Sequence, residues 1–196
     1  MSYVDRAAIA LAFTLVLGST ACGSVAAARE VSCGAQPVEV LPNGSFDATP
    51  AWMQDPATPN LLCDKSLITP ADGTMAACLG NTDGTVQTLT QSVPLPEGAR
   101  SAKLSGQLCI DTLDTAAAEH DVLSFDLLDG DTVVAALGKA TNQMGVHPCA
   151  FAAFERTATV TSDPPSVTLR IRATLDTAMP TGFYLDALHL TVGCTQ

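Results

Sequence analysis

One carboxylate sits where a charge is unfavourable. Asp186 lies in the middle of the run from Gly182 to Val192, the longest apolar stretch after the N-terminal segment. A buried, unpaired carboxylate is costly, so this residue demands partners. The best candidate segment lies near the other end of the chain, at Asn43-Gly44-Ser45-Phe46-Asp47. The two stretches are expected to meet, through loop amides or around a cation. Elsewhere the chemistry thins out. His120, His147 and His189 are scattered, with no H-E-x-x-H and no metal-ligand spacing. Glu119-His120-Asp121 has the ligand types for a metal on a loop, though such a triplet is more often solvated. Ser105-Gly106 lacks a nucleophile elbow around it. Asp83-Gly84 and Asp129-Gly130 are turns rather than phosphate-cradling loops. No catalytic residue is expected, and the chain is read as non-enzymatic.

The cysteines carry different chemistry. There are seven: Cys22, Cys33, Cys63, Cys78, Cys109, Cys149 and Cys194. Met1 to Arg6 is a short n-region and Ala7 to Leu17 an apolar h-region, too short to span a bilayer comfortably. Gly18-Ser19-Thr20-Ala21-Cys22 resembles a bacterial lipobox, in which the cysteine becomes an acylated N-terminus. Ala26-Ala27-Ala28 offers a competing cut before Arg29. Both place the mature chain outside the cytoplasm. We expect a signal peptide over 1–21, lipidation at Cys22, a tether over 22–36 and one domain over 37–196. With Cys22 set aside, six cysteines remain of the seven, enough for bridges that persist in an oxidising compartment. The pairing expected is Cys63–Cys78, Cys109–Cys149 and Cys33–Cys194.

Nine basic residues against 20 acidic give a net charge of −11. That balance excludes nucleic acid and anionic membranes as natural partners, and suits divalent cations.

Stepping along the chain, strand patterns follow one another. Pro37 to Leu41 reads as a short strand. The segment after Trp52 is broken by Pro56 and Pro59 and is expected to be irregular. Thr85 to Val93 is rich in Thr and Val. From Ala102 to Ile110, Ala102, Leu104, Gly106, Leu108 and Ile110 share one face, with Lys103, Ser105, Gln107 and Cys109 on the other. Asp111 to Glu119 has room for one helical turn. Asp121 to Leu128 and Thr132 to Leu137 flank Asp129-Gly130-Asp131, a hairpin signal. Phe151 to Val160 is a further strand. Val167, Leu169, Ile171 and Ala173 then alternate with Thr168, Arg170 and Arg172, the clearest half-buried strand. Together these read as all-β, an antiparallel two-sheet jelly-roll sandwich.

The order of landmarks carries a resemblance. Asn43 to Asp47, Trp52, Ala77-Cys78-Leu79-Gly80, Leu89 to Pro94, Ala102 to Ser105, Asp121-Val122-Leu123, Val167-Thr168-Leu169 and Phe183 to Asp186 follow in sequence. The chain resembles galactose-binding-like jelly rolls. Among them it is similar to carbohydrate-binding modules of the CenC type and to bacterial MAM-like sandwiches. The resemblance implies a structural Ca²⁺ held by Asp47 and Asp186, with backbone carbonyls completing the shell. It places Trp52 in the core, and core packing is expected for Tyr184 too. Gln87, Gln91, Gln107 and Asn142 are candidates to line a polar groove. The role expected is a non-catalytic interaction or adhesion module of a bacterial cell envelope. Its partner would be a cell-surface protein or a polysaccharide, with a carbohydrate-binding module as the alternative.

Overall fold

The computed structural model describes residues 36–114 and 117–194. The expected signal peptide, the lipidation site Cys22, Cys33 and nearly all of the tether lie outside the described residues. Eleven strands follow in order. They are β1 Val38–Glu39, β2 Met53–Asp55, β3 Leu62–Asp64, β4 Met75–Gly80, β5 Val86–Pro94, β6 Ser101–Thr112, β7 Val122–Asp129, β8 Thr132–Thr141, β9 Ala152–Thr159, β10 Ser166–Thr174 and β11 Thr181–Gly193. One 3-10 turn covers Asn142–Met144.

All pairings are antiparallel and form two sheets. The first runs β3-β4-β11-β6-β9, with β1 also against β11. The second runs β2-β5-β10-β7-β8. From β4 onward the chain changes sheet at every connection except the β7–β8 hairpin. This is the jelly-roll sandwich that the strand patterns predict. The first and last strands meet, Val38 opposite Val192 and Glu39 opposite Thr191.

The core follows from period-two alternation. In β10, Val167, Leu169, Ile171 and Ala173 are buried while the residues between them are half-buried. Leu123, Phe125 and Leu127 of β7 lie beside them in register. Across the sandwich stand Leu104, Phe183, Leu185 and Leu190 of the first sheet, all buried. Each fully buried side chain of this size contributes on the order of 2 kcal/mol. The β7–β8 hairpin closes with Asp129 opposite Thr132, and Gly130 takes a φ of 56°, which glycine adopts without strain.

The structure departs from expectation in three stretches. The proline-rich segment after Trp52 is not wholly irregular. It contributes β2, which pairs with β5, and β3, which pairs with β4. Both are three residues long and end before or between prolines, too short to show a period. Strand β4 was foreshadowed only by its landmark residues, because Ala76 and Ala77 are both buried and its alternation is lost. Between Asp111 and Glu119, the described residues carry no helical turn after β6.

Candidate functional site

Asp186 is fully buried, and its partners are amides. Its Oδ2 accepts from the Asp72 amide at 2.8 Å, and its Oδ1 from the Ala187 amide at 2.7 Å. Burial pushes its carboxyl above the usual carboxylate range, against the pull of the Asp72, Ala187 and Ala71 amides. Asp47 reaches the same loop. Its Oδ1 and Oδ2 both accept from the Thr74 amide at 3.1 Å, and Oδ1 also accepts from Thr74 Oγ1 at 2.5 Å. A Cβ on Gly73 would fall 1.8 Å from Asp47 Oδ2, so the loop must carry glycine there. The two carboxylates therefore clasp residues 71–74 from both sides. In this arrangement their oxygens face N–H donors.

Asn43 explains the other half of the sequence motif. Its Nδ2 donates to the Ala48 and Pro50 carbonyls, and its Oδ1 accepts from the Ala48 amide. Its carbonyl accepts from Trp52 Nε1 at 2.8 Å. Trp52 is buried against Phe46, ring centroids 5.2 Å apart, as expected of a core residue. Tyr184 is not in the core. It lies half-buried on the outer side of β11, with its hydroxyl accepting from Asn81 Nδ2.

The clasp shapes the strand beside it. Asp186 pairs with Gln107, but His189 pairs with Ser105, so β11 carries one extra residue. In this bulge Ala187 takes a φ of 48°, unfavourable for a residue with a Cβ. The Leu188 amide, freed from the ladder, donates to the Gly44 carbonyl. Opposite, Gly106 leaves room: a Cβ there would lie 2.6 Å from Leu188 Cδ2.

Where the bulge opens the sheet, a depression of about 460 Å³ lies across β9, β6 and β11. Ala153, Phe154 and Ala187 give it an apolar part, and Ser105, Gln107, Glu155 and His189 a polar one. Glu155, Ser105 and His189 are consecutive cross-strand neighbours. Glu155 is steadied by Lys103 at 3.3 Å, and His189 Nδ1 lies 3.4 Å from Glu39 Oε2. The hydroxyl, amide and imidazole can donate and accept hydrogen bonds, and the carboxylate accepts them. Such a rim over an apolar floor matches a ligand with hydroxyls on its edge and C–H groups on its face.

Of the four residues expected to line a polar groove, only Gln107 reaches the depression. Gln87 and Gln91 point inward from β5; Gln87 Oε1 accepts from the Gly80 amide and Gln91 Nε2 donates to the Pro50 carbonyl. Asn142 is buried and binds the His120 amide, the Ala118 carbonyl and Asp114. His189, Ser105 and Glu155 are the residues sequence reasoning did not place here. Their signal was the shared outward parity of β6 and β11, hidden by the bulge. The other histidines pair with acids, His120 with Asp114 at 2.8 Å and His147 with Asp111 at 2.7 Å.

The cysteine pairing holds where it is described. Cys63 bonds to Cys78 and Cys109 to Cys149. Cys194 is disulfide-bonded as well, and its expected partner Cys33 lies outside the described residues. These bridges fit an oxidising compartment outside the cytoplasm. Among the described residues no helix is long and apolar enough to cross a membrane.

No family model matches the sequence, and no curated protein matches it. Several solved structures are similar. A family 61 carbohydrate-binding module in complex with β-1,4-galactotriose shares 10% identity over 78% of this chain and 97% of its own, with a TM-score of 0.47. The xylan-binding domain of a Paenibacillus barcinonensis protein shares 13% identity over 84% of this chain and 99% of its own, with a TM-score of 0.45. The K3 cleaved adhesin domain of Lys-gingipain from Porphyromonas gingivalis shares 12% identity over 80% of this chain and 99% of its own, at 0.42. Their ligands are properties of those proteins. The sandwich itself is read from its own strand order.

Proposed function

We propose that this domain is a non-catalytic, extracytoplasmic polysaccharide-binding module and that the depression between β9, β6 and β11 is its saccharide site. The observation that carries the reading is the lining: Gln107, Glu155, Ser105 and His189 around an apolar floor. A sugar ring presents hydroxyls at its edge and C–H groups on its face, and both find complements there. Of the two roles the sequence offered, this one uses the polar rim and the apolar floor together.

The test is affinity electrophoresis of the full chain, disulfides intact, through gels containing different neutral polysaccharides. Retention is expected on at least one of them. The double variant Gln107→Ala/His189→Ala should weaken it by roughly tenfold. Unchanged retention in that variant would remove the depression as the site. No retention on any polysaccharide would turn the search to a protein partner at the cell surface. Export and acylation at Cys22 belong to the same proposal. Metabolic labelling with a fatty-acid analogue should mark the native chain and not Cys22→Ser; an unlabelled native chain would mean cleavage without an anchor.

A further inference from the structure

The outer face of the second sheet holds a charge that nothing among the described residues answers. Arg170 and Arg172 project from β10 on the same side, their Cα atoms roughly 6.7 Å apart. Arg170 lies between Thr90 and Asp126, and Arg172 between Thr88 and Ser124. Arg170 donates to Asp126 Oδ2 at 2.8 Å. The Arg172 guanidinium donates no hydrogen bond and forms no ion pair among the described residues. The Nε atoms of both are buried without an acceptor. The remaining charges on this face do not relieve Arg172. Lys139, opposite Ser124, is paired with Glu119. Asp55 stands on the edge strand β2, opposite Thr88 and therefore two strands away from Arg172.

An unanswered guanidinium amid serine and threonine hydroxyls has a preferred ligand. A carboxylate fits its planar fork, and a charge-assisted hydrogen bond is about twice as strong as a neutral one. The surrounding hydroxyls suit the sugar that carries the carboxylate. The rest of the molecule limits how charged that ligand can be. The net charge of −11 repels a dense polyanion, while screening over about 8 Å at physiological salt spares an isolated carboxylate at Arg172. We infer that Arg172, with Arg170 beside it, forms a second subsite, taking the carboxylate of isolated uronate groups on a largely neutral polysaccharide. The inference rests on the polysaccharide reading above but uses the opposite face of the sandwich.

The test compares one polymer in two forms. A neutral polysaccharide bearing sparse uronate groups is used as it is, and after its carboxyls are reduced to alcohols. The full chain should bind the carboxylated form roughly tenfold more tightly at low salt, with the difference shrinking as salt rises. Arg172→Ala should abolish the difference while leaving binding to the reduced form unchanged. Arg172→Lys, which keeps the charge and loses the fork, should keep part of it. Equal binding of the two forms by the native chain overturns the inference and leaves the polysaccharide reading standing. So does an Arg172→Ala variant that still discriminates. Tighter binding of fully charged polygalacturonate overturns the sparse-charge assignment. Binding of neither form overturns both readings.

Discussion

The two sheets of this sandwich are built by different means. The centre of the second is regular, β10 pairing with β5 over nine consecutive positions and with β7 over seven without a shift, and its register slips only toward the β8 edge, at two places between β7 and β8. Its outer face is a grid of short polar side chains and arginines. The first sheet is tied from outside. Cys109 and Cys78 flank Tyr184 across β11, and their bridges hold the chain at Cys149 and Cys63 on that side. The Asp47–Asp186 clasp holds loop 71–74, and the bulge at Ala187 breaks the ladder with β6. The lesson is that a face covered by long-range ties is irregular and can be hollowed into a site. The central ladder of the second sheet, β5-β10-β7, stays in register and offers only what its side chains carry.

The largest test of this contrast is to cut the ties. Removing a disulfide frees the unfolded chain, and the effect grows with the loop enclosed. The 40-residue separation of Cys109–Cys149 predicts a loss of about 4 kcal/mol, and the 15-residue separation of Cys63–Cys78 about 3 kcal/mol. Paired Cys→Ala variants, followed by guanidinium unfolding, measure both. On the second sheet, Thr88→Ala or Ser124→Ala should move stability by no more than about 0.5 kcal/mol. Bridge variants that lose less than about 1 kcal/mol would mean that the first sheet stands without its ties and the contrast is empty.

The same contrast decides what the sequence could show. In β10 every second residue from Val167 to Ala173 is buried, so pattern alone places it and orients Arg170 and Arg172. The Asp129-Gly130 hairpin is equally legible, because a two-residue turn demands that chemistry. In β11 only Thr181 to Leu185 and Leu188 to Val192 keep their apolar positions, and Asp186 is buried between them under a loop. The alternation of polar and apolar breaks there for a reason that lies more than a hundred residues away, at Asp72. The sequence did signal that Asp186 and the Asn43–Asp47 motif belong together. It did not show that their meeting point is a loop, or that the resulting bulge turns His189 and Ser105 to one site. The strands β2 and β3 escaped for a simpler cause: three residues cannot display a period.

A sharper probe acts on the clasp itself. Asp186→Ala leaves the Asp72 and Ala187 amides without acceptors in a buried place, and each unsatisfied donor costs about 1–3 kcal/mol. Part is recovered by removing a buried carboxylate, so a net loss of about 2 kcal/mol is expected. Asp186→Asn keeps one acceptor oxygen and should lose less. If the amides alone satisfy the carboxylate, Tm should be the same in Ca²⁺ and in EDTA. A clear rise of Tm with Ca²⁺ that disappears in Asp186→Ala would restore the expected calcium site. The carboxyl also titrates with a sign of its own. Its folded pKa is raised above the unfolded 3.8, so its contribution is fully present below pH 3.8 and lost as pH rises through the folded value.

The smallest effect lies at one pole of the sandwich, in the loops that follow β6 and β8. His120 Nδ1 meets Asp114 Oδ2, and Asn142 supports both, its Oδ1 accepting from the His120 amide and its Nδ2 donating to Asp114. The hydrogen bond to Asp114 raises the His120 pKa above its usual 6.5. Partial burial opposes this, and the charges of Asp114, Asp176 and Asp121 add to it. A raised folded pKa means that the native state holds the proton more tightly than the unfolded chain. The stabilisation is therefore complete below pH 6.5 and fades as pH climbs through the folded value. Thermal melts from pH 6 to pH 9 should show Tm declining in the native protein. His120→Gln, which can still donate to Asp114, should flatten that decline while leaving Tm at the alkaline end nearly unchanged. If His120→Gln keeps the full decline above pH 6.5, the pole does not sense pH through this pair.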